Sequence, residues 1–266
     1  VKSRLERLKS LIEKHNHLYH TLDKPEISDE AYDSLVRELH DIENQHPELK
    51  SKTSPTNRVG GEPLKEFVKV THATRQWSYD DAFTFEDLKD WDKKVRRMIE
   101  KAKPSLSSVA RSDEVGFREK LEYCCELKID GLKVVLTYEK GELVRGATRG
   151  DGSVGEDVTS NVRTIESIPL KLKEKIDITV VGEIWMGKKG LEAINKVRQK
   201  EGLEVYANTR NLAAGSMRQL DPKMTAERKL DSFIYDIDLI DGQLPKTQSE
   251  ELDLLKKLVF NVNPNH

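Results

Sequence analysis

The sequence predicts an α+β fold, and three observations carry that expectation. Apolar residues recur at helical spacing over roughly the first fifty positions, the period changes to two after residue 121, and helical stretches return between the later β-rich runs. Strands joined as hairpins with helices set between them belong to α+β rather than to doubly wound architecture.

Leu5, Leu8, Leu11, Ile12, His15 and Tyr19 mark the first helix, and Pro25 breaks the pattern. Ser28 is placed to cap a second helix, with Asp29 and Glu30 in the first turn, where the helix dipole favours acids. Tyr32, Leu35, Val36, Leu39 and Ile42 form its apolar face, closed by Pro47. The result is a helical hairpin of about 50 residues, small for an independent core and therefore expected to dock or to act as a lid. Ser54-Pro55-Thr56 and Gly60-Gly61 read as a linker, which divides the chain into a helical subdomain at 1–60 and a second domain at 61–266. Thr84-Phe85-Glu86-Asp87 is a capping box opening a helix with Leu88, Trp91, Val95, Met98 and Ile99 on one side. Residues 101–119 are polar and read as a loop. Cys124 to Ile129 then reads as a strand, and Leu132–Tyr138 and Leu143–Thr148 as a hairpin turning at Glu139-Lys140-Gly141. Ile178–Met186 and Phe233–Ile240 are further β-rich runs, with helical spacing at Leu191–Lys200 and Glu250–Leu258.

With 266 residues, 36% hydrophobic and 35% charged, the chain holds one large domain or two small ones. No stretch approaches the ~20 apolar residues of a membrane span, and no apolar run follows a basic start as in a secretory signal. Lys and Arg total 45 against 47 acids, a net charge of −2, so nucleic-acid binding would need a local patch. Cys124 and Cys125 are neighbours and poor disulfide partners. They read as small buried hydrophobes in a reducing compartment, which points to the cytoplasm.

The densest chemistry lies in Glu126-Leu127-Lys128-Ile129-Asp130-Gly131. On a strand, residues two apart share a face, so Glu126, Lys128 and Asp130 project together while Cys125, Leu127 and Ile129 face the core. Such a row is either a salt-bridged solvent face or a lysine nucleophile bracketed by carboxylates. A nucleophilic lysine needs its reference pKa of ~10.4 depressed, or a base beside it. Arg149-Gly150-Asp151-Gly152, with Gly155 beyond, is a turn able to bring N–H groups to an anion, or a plain turn. It matches neither the Walker A pattern nor the dinucleotide fingerprint. Glu183, inside an apolar run, either meets a donor such as a ribose hydroxyl or faces an edge. Arg210 and Arg218 lie among Asn, Ala and Gly in a stretch read as poor in helix, where they suit phosphate binding or simply the surface. His15, His17 and His20 scatter over different helix faces and make no metal site.

Taken in order, these segments resemble the N-terminal part of bacterial NAD+-dependent DNA ligases over nearly the whole chain. Lys128-Ile129-Asp130-Gly131 resembles the family's adenylation motif. Tyr19-His20 followed by Asp29-Glu30-Ala31-Tyr32-Asp33 resembles the module that recognises nicotinamide mononucleotide (NMN) in the NAD+-using branch. The resemblance implies an ATP-grasp-like nucleotidyltransferase domain of antiparallel sheets with helices, NAD+ as AMP donor, and Mg2+. Lys128 would attack the α-phosphate of NAD+, keep AMP and release NMN, with Asp130 orienting or deprotonating it. By the same resemblance Glu126 contacts the adenine amine, Arg149 the ribose and phosphate side, and Glu183 the ribose hydroxyls. Ser78 and Tyr79 lie beside the adenine and Tyr235 stacks on it. Tyr19, His20, Asp29, Tyr32 and Asp33 hold the NMN half, and Arg210 and Arg218 meet phosphates or DNA.

The sequence departs from the family pattern at Trp77 and Tyr79, where smaller aliphatics are usual, at Lys133, where a small residue is usual, and at Thr209, where proline is usual. The family's remaining nucleotidyltransferase motifs and its OB-fold, zinc-finger, helix-hairpin-helix and BRCT domains would follow residue 266. The expected protein is thus a truncated adenylation region of a monomeric, membrane-free enzyme that seals nicks in duplex DNA. The competing expectation is a non-catalytic nucleotide- or DNA-binding module of the same fold.

Overall fold

A computed structural model describes residues 1–18, 26–51, 53–58, 64–102 and 121–266, and its architecture is α+β. The chain forms two compact units, Val1–Gln76 together with Cys124–His266, and Trp77–Tyr123.

In the larger unit, α1 (Lys2–Asn16) and α2 (Asp29–Gln45) make the expected hairpin. The Ser28 hydroxyl accepts from the Ala31 N–H at 3.3 Å, the N-cap anticipated from its position. Leu5, Leu8, Ile12 and Leu39 are fully buried in the seam, flanked by Tyr32, Leu35, Val36 and Ile42. Each such side chain contributes ~1.5–3 kcal/mol on burial, too little in sum for a stand-alone domain. The hairpin is instead fastened to the rest of the unit by Arg58, itself buried. The Arg58 guanidinium donates to the carbonyls of Arg163 at 3.2 Å, Ile165 at 2.8 Å and Ile168 at 3.0 Å. Asn16 Nδ2 adds a bond to Glu166 Oε2 at 2.8 Å.

The strands follow as β1 (Lys69–Thr71), β2 (Leu132–Glu139), β3 (Glu142–Thr148), β4 (Val154–Glu156), β5 (Ile178–Trp185) and β6 (Asp231–Ile240). β1 pairs with β4, while the main sheet is antiparallel throughout in the order β3-β2-β5-β6. The β2–β3 turn uses Lys140 and Gly141 with φ of 50° and 78°, and a Cβ on Gly141 would stand 2.2 Å from the Glu174 carbonyl oxygen. One face of the sheet carries Val134, Leu136, Tyr138, Val180, Ile184, Ile234 and Ile237 into the core. Against it pack residues of α6 (Thr209–Met217) and α8 (Gln248–Lys257), including Leu212, Met217, Leu252 and Leu255. The short helices α4 (Thr159–Val162) and α7 (Pro222–Ala226) precede β5 and β6, and between β5 and α6 lies α5 (Lys188–Lys200), entered through Gly187. The opposite face, with its half-buried polar residues, is left for chemistry.

The smaller unit carries α3 (Phe85–Ala102). Its capping box closes reciprocally, Asp87 N–H donating to Thr84 Oγ1 at 3.1 Å and Thr84 N–H to Asp87 Oδ2 at 3.0 Å. Trp91 lies 5.1 Å from Tyr123, whose hydroxyl donates to Asp92 at 2.6 Å. Most of the segment expected to loop at 101–119 lies outside the described residues.

Three expectations are corrected. Cys124–Ile129 is not a strand: β2 begins at Leu132, and none of these six residues enters a ladder. Apolar alternation supplies a two-sided segment, but a strand also needs a partner for its N–H and C=O groups. Consequently Leu127 is 57% exposed and Cys125 is exposed rather than facing the core, with Cys124 half-buried. Second, Arg210 belongs to helix α6 and Arg218 to its C-cap, not to a helix-poor stretch. Asn208 caps the helix by accepting from the Asn211 N–H at 2.8 Å, and burial of Leu212, Ala213 and Met217 outweighs the weak propensity of Asn, Thr and Gly. Third, the two free cysteines are not buried small hydrophobes. No described helix is long and apolar enough to cross a membrane.

Candidate nucleotide site

Register places the polar face. Residues directly opposite in a ladder share a face, and Glu183 of β5 is opposite Lys133 of β2 on one side and Phe233 of β6 on the other. Two positions along, Val135 meets Val181, and Val181 meets Asp236. This face therefore carries Lys133, Glu183, Phe233 and Asp236, with Trp185 stacked on Phe233 at 5.3 Å between ring centroids.

Burial governs the acids here. Desolvation pushes Glu183 up to about 7, and the Gly131 N–H, Lys128, Arg210 and Lys133 pull it partly back. Asp236 and Asp238 are raised chiefly by burial, while Lys133 is lowered by burial against the pull of Asp238, Asp236 and Glu183. Gln76, almost wholly buried, ties this face to the glycine-rich turn. Its side-chain amide donates to Asp238 and its backbone N–H to the Gly152 carbonyl at 2.8 Å, while its own carbonyl accepts from Arg149 Nε at 3.3 Å.

The segment with Glu126, Lys128 and Asp130 comes to the sheet through one glycine. The Gly131 N–H donates to Glu183 Oε1 at 3.2 Å, and a Cβ there would lie 2.1 Å from the Ile184 carbonyl oxygen. Only glycine lets the backbone approach β5 so closely. Lys128 is exposed and within electrostatic reach of Glu183. Asp130 pairs with Arg210 at 3.4 Å, both exposed. Glu126, raised by burial, accepts from Gln248 Nε2 at 3.0 Å.

The structure thus gathers Glu126, Lys128, Asp130, Arg149, Glu183, Arg210 and Tyr235 around one face and edge of the sheet. Tyr235 is half-buried in an irregularity of the β5–β6 ladder. Arg218 is exposed at the end of α6. Ser78 and Tyr79 belong to the smaller unit, where both are exposed. Tyr32 is half-buried in the hairpin seam, where burial raises its phenol, and Asp33 is exposed. Tyr19, His20 and the side chain of Asp29 lie outside the described residues.

Lys133, Gln76, Asp236, Asp238 and Gln248 belong to the site but drew no role from sequence. Lys133 carried a signal as a charge in an apolar run, whereas Gln76 and Gln248 act through contacts remote in the chain. A separate cavity of about 610 Å³, lined among others by Glu13, Asn16, Arg58, Glu166 and Lys171, opens between α1 and the segment before β5. Among the described residues no group of three or more His, Cys, Asp or Glu is placed to hold a metal ion. The residues thus build no cage for Mg2+, which ordinarily binds through one or two carboxylates, water and substrate phosphates.

Comparison with known proteins supplies the context. Residues 64–266 match the family described as the NAD-dependent DNA ligase adenylation domain, and residues 1–60 match the DNA ligase-like, N-terminal NAD+-binding domain. The chain is 48% identical over 261 residues to a DNA ligase of Halalkalibacterium halodurans, covering 98% of the chain and 36% of that relative. It is 48% identical over 265 residues to a DNA ligase of Carboxydothermus hydrogenoformans, covering 99% and 37%. With a DNA ligase of Bacillus subtilis it shares 47% over 263 residues, covering 99% and 37%. The chain therefore spans little more than a third of the length of these curated relatives.

Proposed function

The chain belongs to the NAD-dependent DNA ligase adenylation family, and from that premise we propose that it takes AMP from NAD+ onto Lys128. The observation that carries this reading is the Gly131–Glu183 bond, which brings Lys-Ile-Asp-Gly against the acid-bearing strand with Lys128 exposed at its mouth. In the proposed step the Lys128 amine forms a bond to the α-phosphorus of NAD+. The bond from that phosphorus to the oxygen shared with NMN breaks, NMN leaves with the electron pair, and the amine gives up its proton. Asp130 orients or receives from the amine, and its pairing with Arg210 supports the orienting part. Glu183 holds the ribose hydroxyls, Arg149 the ribose and phosphate side, Arg210 phosphates or DNA, Glu126 the adenine amine, and Tyr235 stacks on the base. Arg218 meets phosphates or DNA, and Ser78 and Tyr79 lie beside the base. Mg2+ neutralises the pyrophosphate when bound with NAD+, and positioning and charge dominate such chemistry.

We further propose residues 1–60 as the NMN-recognising subdomain, through Tyr19, His20, Asp29, Tyr32 and Asp33, and 61–266 as the adenylation domain. In the longer protein the AMP serves to seal nicks in duplex DNA, as the relatives' name supports. The free cysteines support a reducing, cytoplasmic setting, and a monomer suffices because every proposed contact lies in one chain. Intact-mass analysis after incubation with NAD+ and Mg2+ tests the reading: AMP attaches to the wild type and not to Lys128→Ala. Labelling from ATP but not NAD+ overturns the donor assignment. NMN binding without any transfer supports instead a non-catalytic nucleotide-binding module.

A further inference from the structure

Glu126 sits in a segment with no backbone ladder, so its direction has to be set by side-chain bonds. One residue supplies them. Gln248 opens α8 beside the cap formed by Thr247, whose hydroxyl accepts from the Glu250 N–H at 3.2 Å. Its Nε2 donates to Glu126 Oε1 at 3.0 Å and to the Tyr235 carbonyl at 2.8 Å. A primary amide nitrogen carries two hydrogens, so both are committed. The helix beneath is anchored independently: Leu252 and Leu255 are fully buried, and Glu251 Oε1 accepts from the Ile237 N–H at 2.5 Å. Gln248 is therefore a rigidly based bracket joining Glu126 to the strand that bears Tyr235. The groups otherwise acting on Glu126 include two acids, Asp236 and Glu251, which repel its charge, and His266, which attracts it.

We infer that Gln248 is a positioning residue that fixes Glu126 and so makes the site select a 6-amino purine over a 6-oxo purine. The inference rests on the proposed adenylation reading, in which Glu126 meets the base. The bond to Gln248 uses one carboxylate oxygen and leaves the other as an acceptor. An adenine amine donates to that acceptor, whereas the 6-oxo group of hypoxanthine presents a lone pair to it. A site built around such a bond rejects the analogue that cannot form it, but only while the carboxylate is held in place.

The test uses the 266-residue chain, with initial rates of AMP transfer from NAD+ and of IMP transfer from nicotinamide hypoxanthine dinucleotide. The wild type prefers NAD+. Gln248→Leu lowers that preference about tenfold while keeping the wild-type circular dichroism spectrum. Gln248→Lys, which retains a donor of similar reach, keeps the preference. A Gln248→Leu variant with the wild-type ratio overturns the inference, as does a Gln248→Lys variant as indiscriminate as Gln248→Leu. If neither dinucleotide labels wild-type Lys128, the adenylation reading fails on its own. The ratio of AMP to IMP affinity, measured by calorimetry on the same variants, then still decides the role of Gln248.

Discussion

Glu183 and Lys128 lie within electrostatic reach of each other, yet their positions are fixed by unlike means. Glu183 is held from both sides, by the ladder to β2 at Lys133 and the ladder to β6 at Phe233, and burial pushes its carboxyl up to about 7. Lys128 has no ladder on either side and is exposed, in a segment attached to the sheet at Gly131 and bracketed at Glu126. The difference teaches a division of labour. The sheet supplies a pre-organised surface that needs no rearrangement, while the lysine proposed to take AMP stays on a tether with few buried contacts.

The contrast breaks first at the tether. Lys128→Ala abolishes AMP attachment, read by intact mass, while AMP binding by calorimetry persists because the surface is untouched. Gly131→Ala comes next: a Cβ 2.1 Å from the Ile184 oxygen forces the segment off β5. A displacement of about 1 Å costs on the order of 100-fold in the rate of attachment, with the circular dichroism spectrum retained. A shift smaller than threefold would show that the close approach is dispensable.

On the sheet side the effects are smaller and depend on pH. The folded pKa of Glu183 is raised from 4.5 to about 7, so between those values the native chain holds a proton that the unfolded chain has released. This group's contribution to stability therefore falls as pH rises from 4.5 to 7, while binding that uses the carboxylate as acceptor strengthens through pH 7. AMP affinity measured from pH 6 to 8 rises with a midpoint near 7, and Glu183→Gln flattens the profile with a loss of about tenfold, one hydrogen bond to a charged group. The smallest effect on the site comes from a change remote from it, Arg58→Ala. It strands three carbonyls, two of them buried, and lowers stability to urea by ~3 kcal/mol, yet leaves AMP affinity on the sheet unchanged.

How much of this was legible in sequence follows the same division. Elements stabilised by their own residues were readable: the Ser28 cap, the Thr84 box, the Lys140-Gly141 turn and the alternation of β2 and β5 all carry local signals. The flanking valines and isoleucine put Glu183 on a strand. Cys124–Ile129 misled, because alternation is a local property and strand pairing is not. The helix that holds Arg210 has no strong local signal, because capping by Asn208 and burial of Leu212, Ala213 and Met217 override propensity. Gln248 is 122 positions from Glu126 and Gln76 is 162 from Asp238, so no spacing rule joins them. The two glutamines are visible only once the chain is folded.

The strand order β3-β2-β5-β6 also sets a schedule for synthesis. β5 pairs with β2 as soon as both have emerged, but its other edge waits for β6, 45 residues downstream between Trp185 and Asp231 in the chain's numbering. A nascent polypeptide halted in that interval presents an unpaired row of N–H and C=O groups beside Glu183, the kind of edge that recruits strangers. Ribosomal pausing there exposes this protein to aggregation, whereas a pause after α8 leaves β5 paired on both edges.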